Sequence, residues 1–362
     1  MPADRIASDS VASICIRAPN WVGDAVMATP TFRCVRAYFP SARIVLVVRE
    51  AIAPVLHGAP WFDHRVLLRG HPGRNTLAVG GLFRAIARIR REHCGLGFVL
   101  PNSFSSALMF YLAGVRRRVG YVRDARGFLL TYALRRPSKD GRFSPMYMVD
   151  YYLALCEKLG LEPHSRRTEL HFTKQDAETT DILLREAGIN TARPLFLLHP
   201  GAAFGPSKLW PLDRFAALAE NLEAEFGAQV ACIGAPQDSP LIRNITGISR
   251  AALVDLSTRG IDLHLLKCVV ASSKLLVTTD SGPRHYGVAL GVPTVCLMGP
   301  THPGYSTSDR PWDHVVRADV ECSPCQKKVC RLDHRCMEQL STDTVLAACR
   351  KALQSEREHV LR

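Results

Sequence analysis

The sequence predicts an α/β protein made of two domains, each a parallel sheet covered by helices, and three observations carry that prediction. The chain has 362 residues, which suggests two cores of roughly 150 to 200 residues each. Short runs rich in Val, Ile and Leu alternate with amphipathic stretches, as expected of strands buried on both faces between helices. A polar amphipathic stretch at Lys174–Ala187, followed by Gly188, Asn190 and Pro194, then interrupts the alternation before it resumes. The expected organisation is a first domain at 1–173, a linker helix at 174–192, a second domain at 193–340 and a closing helix at 341–362.

In chain order, the apolar runs predict strands at Ser13–Arg17, Arg43–Val48, Arg65–Leu68 and Gly97–Leu100. Helical periodicity predicts one helix from Asp24 to Tyr38 and others near Leu82–Glu92 and Ser105–Leu112. In the second half, strands are expected at Leu195–Leu198, Gln229–Ile233, Ala252–Asp255, Lys274–Thr278 and Thr294–Leu297. The intervening helices fall near Leu212–Phe226, Pro240–Ile245, Leu263–Ser272 and Arg284–Leu290, and Ser341 caps a last helix running to Leu353. Two such domains in tandem set the carboxyl ends of two sheets across a cleft, where ligands of these folds bind.

Composition narrows the function classes. The chain is 47% hydrophobic and 22% charged, within the range of globular proteins. No apolar run of about 18 residues could span a bilayer, and the opening Met1–Arg5 stretch lacks the apolar core of a signal peptide, so a cytoplasmic location is expected. The net charge of +13 sits wholly in residues 1–173, with 25 basic and 12 acidic side chains; residues 174–362 hold 21 of each. It concentrates in Arg84, Arg88, Arg90 and Arg91, in Arg116, Arg117, Arg118, Arg123 and Arg126, and in Arg135, Arg136, Lys139 and Arg142. Such a field attracts nucleic acid, an anionic membrane face or a phosphorylated ligand. Nucleic acid is disfavoured because the clusters lack interleaved aromatics and any recognition motif.

Three strand ends carry polar residues. In Arg17-Ala18-Pro19-Asn20-Trp21-Val22-Gly23-Asp24 a strand runs through a glycine turn into a helix whose start bears Asp24. That carboxylate either caps the helix or, held ionised by its dipole, accepts a proton. In His199-Pro200-Gly201 through Gly205-Pro206-Ser207-Lys208, glycines permit close backbone approach and Lys208 offers a mobile cation for a phosphate. In Thr279-Asp280-Ser281-Gly282-Pro283-Arg284-His285, a helix opening with Pro283 presents the N–H groups of Ser281 and Gly282 to a diphosphate, and Asp280 could hold sugar hydroxyls.

These strings, with Leu100-Pro101-Asn102-Ser103-Phe104, together resemble the ADP-heptose:lipopolysaccharide heptosyltransferases, the heptosyltransferase II branch in particular. The resemblance implies a GT-B fold, two Rossmann-like domains facing a central cleft. It implies an inverting transfer of heptose from ADP-L-glycero-D-manno-heptose to a heptose of the lipopolysaccharide inner core, with no cofactor required. Carried over, Asp24 is the general base and Lys208 stabilises the leaving diphosphate. Gly201, Ala203, Phe204, Asp238, Asp280, Ser281, Gly282, Pro283 and His285 line the donor site, and Asn102 and Ser103 the acceptor site. Thr279, where relatives often carry asparagine, and the added cation Arg284 depart from the pattern. A transferase for another nucleotide sugar is the nearest alternative. The expected location is peripheral, on the anionic inner face of the inner membrane.

No D-x-D metal signature is present, and the catalytic set includes no metal ligand. Most of the twelve cysteines lie in apolar runs as core residues. The exception is Cys322-Ser323-Pro324-Cys325 with Cys330 and Cys336, four within fifteen residues, which fits a tetrahedral metal, a disulfide or plain thiols.

Overall fold

The computed structural model describes residues 6–70, 79–139 and 142–360; the Met1–Arg5 opening and the side chains of Lys139 and Arg142 lie outside that description. The chain divides into two compact units, Met1–His171 and Phe172–Arg362.

The first unit runs β1 (Ser13–Arg17), α1 (Val22–Met27), α2 (Thr29–Tyr38), β2 (Arg43–Arg49), β3 (His64–Leu68), α3 (Val79–Arg91), β4 (Leu96–Val99), α4 (Phe104–Leu112), β5 (Arg117–Tyr121) and β6 (Tyr132–Leu134). A short hairpin of β7 (Ser138–Lys139) and β8 (Arg142–Phe143) precedes α5 (Met148–Lys158). The six main strands lie parallel in the order β3-β2-β1-β4-β5-β6.

The second unit repeats this topology with α6 (Lys174–Glu186), β9 (Leu195–His199), α7 (Leu212–Phe226), β10 (Gln229–Cys232), α8 (Ser239–Ile248), β11 (Val254–Asp255), α9 (Leu265–Ala271), β12 (Leu275–Thr279), α10 (Gly282–Leu290), β13 (Thr294–Leu297), β14 (Asp313–Val316), α11 (Arg335–Glu338) and α12 (Thr342–Val360). Its parallel order is β11-β10-β9-β12-β13-β14. Each sheet therefore reverses its winding once, between β1 and β4 and between β9 and β12. At such a switch point the loops leaving the two strands diverge to opposite faces and open a crevice for ligand.

Both cores form as the apolar runs require. Ile14, Cys15, Ile16, Val45, Leu46 and Val47 are wholly buried in the first sheet, and Leu197, Leu198, Leu276, Val277 and Val295 in the second. Trp210 anchors the second core, 1% exposed, with its indole N–H donating to the Leu340 carbonyl at 2.9 Å and its ring edge-on to Phe215.

Three expectations change. The helix expected at Asp24–Tyr38 breaks at Ala28: Pro30 lacks an N–H and opens α2, while the Thr29 hydroxyl donates to the Val26 carbonyl at 2.7 Å. The stretch read as a linker helix is α6, which belongs to the second unit and packs on α9, beginning at a Thr173–Asp176 capping box. Strands β5, β6 and β14 had no sequence signal because each offers only two or three apolar residues, the polar pairs Arg117-Arg118 and Asp313-His314 taking up the starts of β5 and β14. Ser341 does cap α12, its hydroxyl accepting the Thr344 N–H at 3.2 Å.

Candidate active site

Asp24 lies in the first turn of α1, directly beyond the carboxyl end of β1. It is not the cap: Trp21 takes that position, and no side chain bonds the helix amides there among the described residues. Instead Asp24 accepts a hydrogen bond from the Tyr152 hydroxyl of α5, a residue the sequence reading missed. Burial disfavours the carboxylate and pushes its pKa up to about 6, against the smaller opposing effect of Tyr152. The side chain nevertheless keeps partial solvent access, so a proton can reach it. A carboxyl group with these properties is a base at neutral pH and a stronger one than an exposed aspartate.

The loop before α1 is braced by a buried guanidinium. Arg17, 3% exposed, donates to the Ala18 carbonyl and the Asn20 side-chain oxygen, each at 2.5 Å, and Arg49 donates to the same Asn20 oxygen at 3.1 Å. A second brace holds the loop after β4. Fully buried Arg126 donates to the carbonyls of Tyr121 (2.9 Å), Ser103 (3.3 Å) and Pro101, and to the Asn102 side-chain oxygen (3.2 Å). That oxygen also accepts from the Tyr151 hydroxyl at 2.9 Å, and Tyr151 stacks on Tyr121 with ring centroids 3.8 Å apart. The Ser103 hydroxyl pairs with that of Ser106 at 2.8 Å. Asn102 and Ser103 lie on the other side of the switch point from Asp24, and their oxygens hold the loop in shape. Arg126, expected only as part of a surface charge field, is a structural residue.

In the second unit, the loop after β9 delivers Lys208 into the interior, 7% exposed. Its ammonium donates to the Asp280 carboxylate at 2.7 Å and to the Asp280 carbonyl at 2.5 Å, and lies 4.9 Å from the Phe204 ring centroid. The mobile cation expected from sequence is therefore a fixed one. Asp280 accepts further from Thr301 (2.6 Å), Arg284 (3.3 Å) and Ser306 (3.4 Å). Burial works against its charge, but Lys208 and Arg284 outweigh burial and hold its pKa well below the usual carboxylate range. Arg284 is no additional cation for a ligand. It is fully buried and forked onto Asp313 at 3.1 and 2.9 Å.

Beside this network α10 begins at Ser281, and no side chain caps it among the described residues. The Ser281 hydroxyl instead pairs with His199 Nδ1 at 3.1 Å. The first amides of α10 are therefore left without a side-chain cap at the switch point, the kind of helix N-terminus that can accept an anion. His199 and His285 are both neutral near pH 7, since burial lowers each pKa to about 4. Thr279, the departure noted in the sequence, ties the strand ends together by donating to the Gly201 carbonyl at 2.6 Å. Gly201 is required sterically: a β-carbon there would meet the Asp238 carboxylate at 2.6 Å. Asp238 accepts the Ala235 N–H at 2.9 Å, and burial raises its pKa. Ala203 and Phe204 lie in the loop between β9 and Lys208, and Pro283 and His285 in the first turns of α10.

Two Rossmann-like units of matching topology, each with polar loops gathered at its switch point, define a GT-B fold. The family description "Glycosyltransferase family 9 (heptosyltransferase)" matches residues 82–335, and the chain belongs to that family. It is a glycosyltransferase. It is 29% identical over 312 residues to the lipopolysaccharide heptosyltransferase 2 of Salmonella typhimurium, covering 84% of this chain and 86% of that one. It is 31% identical over 314 residues to the lipooligosaccharide heptosyltransferase 2 of Haemophilus ducreyi, covering 81% and 85%. Among solved structures, the E. coli ADP-heptose LPS heptosyltransferase II superposes with a TM-score of 0.78 at 24% identity, over 95% of this chain and 99% of that one.

Proposed function

We propose that the protein transfers heptose from ADP-heptose to a heptose of the lipopolysaccharide inner core, with inversion at the anomeric carbon. The observation that carries this reading is the family match over residues 82–335, and its chemistry rests on the Asp24 carboxylate, partly buried and bonded to Tyr152 at the first switch point. Asp24 removes the proton from the acceptor hydroxyl as that oxygen bonds to the anomeric carbon. The bond from that carbon to the diphosphate oxygen breaks, and the electron pair leaves on ADP. Lys208 and the first amides of α10 stabilise that charge, electrostatic work that needs no divalent cation. Asp280 and Thr301 keep Lys208 in place, so Asp280 acts on the donor chiefly through Lys208. Asn102, with its oxygen committed to Arg126 and Tyr151, offers its amide nitrogen to the acceptor, and Trp21, 51% exposed, offers a ring face to a sugar.

The family match and the heptosyltransferase 2 relatives support the donor and acceptor classes. We also place the protein at the anionic cytoplasmic face of the inner membrane, without nucleic acid as a partner. Exposed Phe83 of α3 and Phe128, 63% and 76% exposed, accompany the exposed Arg84, Arg88, Arg91, Arg116 and Arg123, a pairing that suits acyl chains and phosphate headgroups. No helix of the described residues is long and apolar enough to cross a membrane. The test is Asp24→Asn: transfer is abolished while ADP binding stays within about twofold of wild type. A variant that kept most of its transfer rate would remove Asp24 as the base.

A further inference from the structure

The segment between β14 and α11 contains no strand or helix, yet it holds the donor-side loop in place. The Ser207 N–H donates to the Lys328 carbonyl at 3.1 Å and the Ser207 hydroxyl to the Lys327 carbonyl at 2.6 Å. His334 Nε2 pairs with the Ser207 carbonyl at 2.7 Å. Gly205 packs so closely that a β-carbon there would meet the Lys328 carbonyl oxygen at 2.5 Å. Lys208 therefore owes its position to a stretch with little apolar core of its own, in which Val329 and Leu332 are 60% and 63% exposed. An irregular segment of this kind usually requires a covalent or metal staple to stay in one conformation.

That segment surrounds a cavity of about 290 Å³ bordered by Cys322, Cys325, Cys330 and Cys336. No two of the four thiols are joined in a disulfide. The Cys330 sulfur accepts the Leu332 N–H at 3.4 Å. Lys327, Arg331 and Arg335 border the same cavity and supply positive charge. Among the described residues, no three His, Cys, Asp or Glu side chains are already gathered as a metal-binding group. The thiols ring the space instead. A tetrathiolate ion, with metal–sulfur bonds of roughly 2.3 Å, would draw together four thiols that already line one space.

We propose that Cys322, Cys325, Cys330 and Cys336 bind one thiophilic metal ion, zinc or iron, in a tetrahedral tetrathiolate site that fixes the segment gripping the Lys208 loop. Four thiols each release a proton on binding a divalent ion, and the net charge of −2 on the centre is offset by Lys327, Arg331 and Arg335. The C-x2-C, x4-C and x5-C spacing supplies four ligands from one short segment, which completes a tetrahedron without His334, whose Nε2 pairs with the Ser207 carbonyl. The role is structural and adds no step to sugar transfer.

The full-length chain, produced in medium supplemented with zinc and iron and purified under reducing conditions without chelator, is assayed by elemental mass spectrometry. The expected content is about one equivalent of zinc or iron per chain, and less than about 0.2 equivalents of either would overturn the site. Titrating the wild-type protein with a mercurial should release that metal as four thiols react. Release with fewer thiols, or a disulfide among the four found by mass spectrometry, would also overturn it. The double variant Cys325→Ser/Cys330→Ser should lose the metal, melt at lower temperature and become cleavable by protease in the 200–210 loop. If that variant does not fold, cobalt(II) exchanged into wild-type protein decides the matter: visible absorption of a tetrahedral thiolate site supports the proposal, and its absence contradicts it.

Discussion

Asp24 is held in an environment that opposes its own charge, and its chemistry and its stability cost have the same origin. Burial raises its pKa to about 6, so the folded protein binds a proton more tightly than the unfolded chain, where an aspartate titrates near 3.9. The sign follows directly: below about pH 4 both states are protonated and the group costs nothing, whereas above pH 6 the folded state carries a desolvated carboxylate. Asp24→Asn should therefore raise the melting temperature at pH 7.5, by at most about 3 kcal/mol of stability, and the gain should vanish at pH 4. Thermal melts at the two pH values check this. In the active enzyme, kcat/KM should rise with pH through an apparent pKa of about 6, the free-enzyme value of the base. Tyr152→Phe removes the hydrogen bond that favours the ionised form, so its profile should shift to higher pH, with the plateau rate reduced but not lost.

At the scale of the elements, the buried ion network between β12, α10 and β14 holds the donor side together. Arg284→Met would leave Asp313 and Asp280 buried with reduced compensation, and should cost about 3 to 5 kcal/mol by denaturant unfolding. Lys208→Ala should cost less, about 3 kcal/mol, because Arg284, Thr301 and Ser306 still face Asp280. ADP binding and transfer should both fall in that variant, whereas Asp24→Asn spares binding. Much of this site was legible from sequence because strand, glycine-bearing turn and helix follow one another locally, as in Ile16 through Asp24 and Leu276 through His285. What sequence could not convey was which partner each polar group meets across the fold. Tyr152 comes to Asp24 from α5, Asp280 comes to Lys208 from another strand end, and Asp313 comes to Arg284 from a strand masked by its own charge. The mobile lysine and the added arginine cation were misread for that reason.

For the whole molecule, two units with the same strand order divide the chemistry. On the proposed reading, the first carries the base, the braced loops and all the excess positive charge, and the second the fixed cation and the helix N-terminus that meets the diphosphate. The charge asymmetry has a measurable consequence. Vesicles containing anionic lipid should retain the protein at low salt and release it as ionic strength rises toward 0.5 M, while Phe128→Ser combined with Arg84→Glu and Arg88→Glu weakens retention at every salt concentration. Equal retention by neutral vesicles would contradict the assigned surface. The measurement that bears most directly on the function is transfer to a lipid A core already carrying one heptose, with ADP-heptose tested beside a panel of other nucleotide sugars and ADP release followed in parallel. The account predicts stoichiometric heptose addition and ADP release with ADP-heptose alone. Turnover with a different nucleotide sugar and none with ADP-heptose would contradict it.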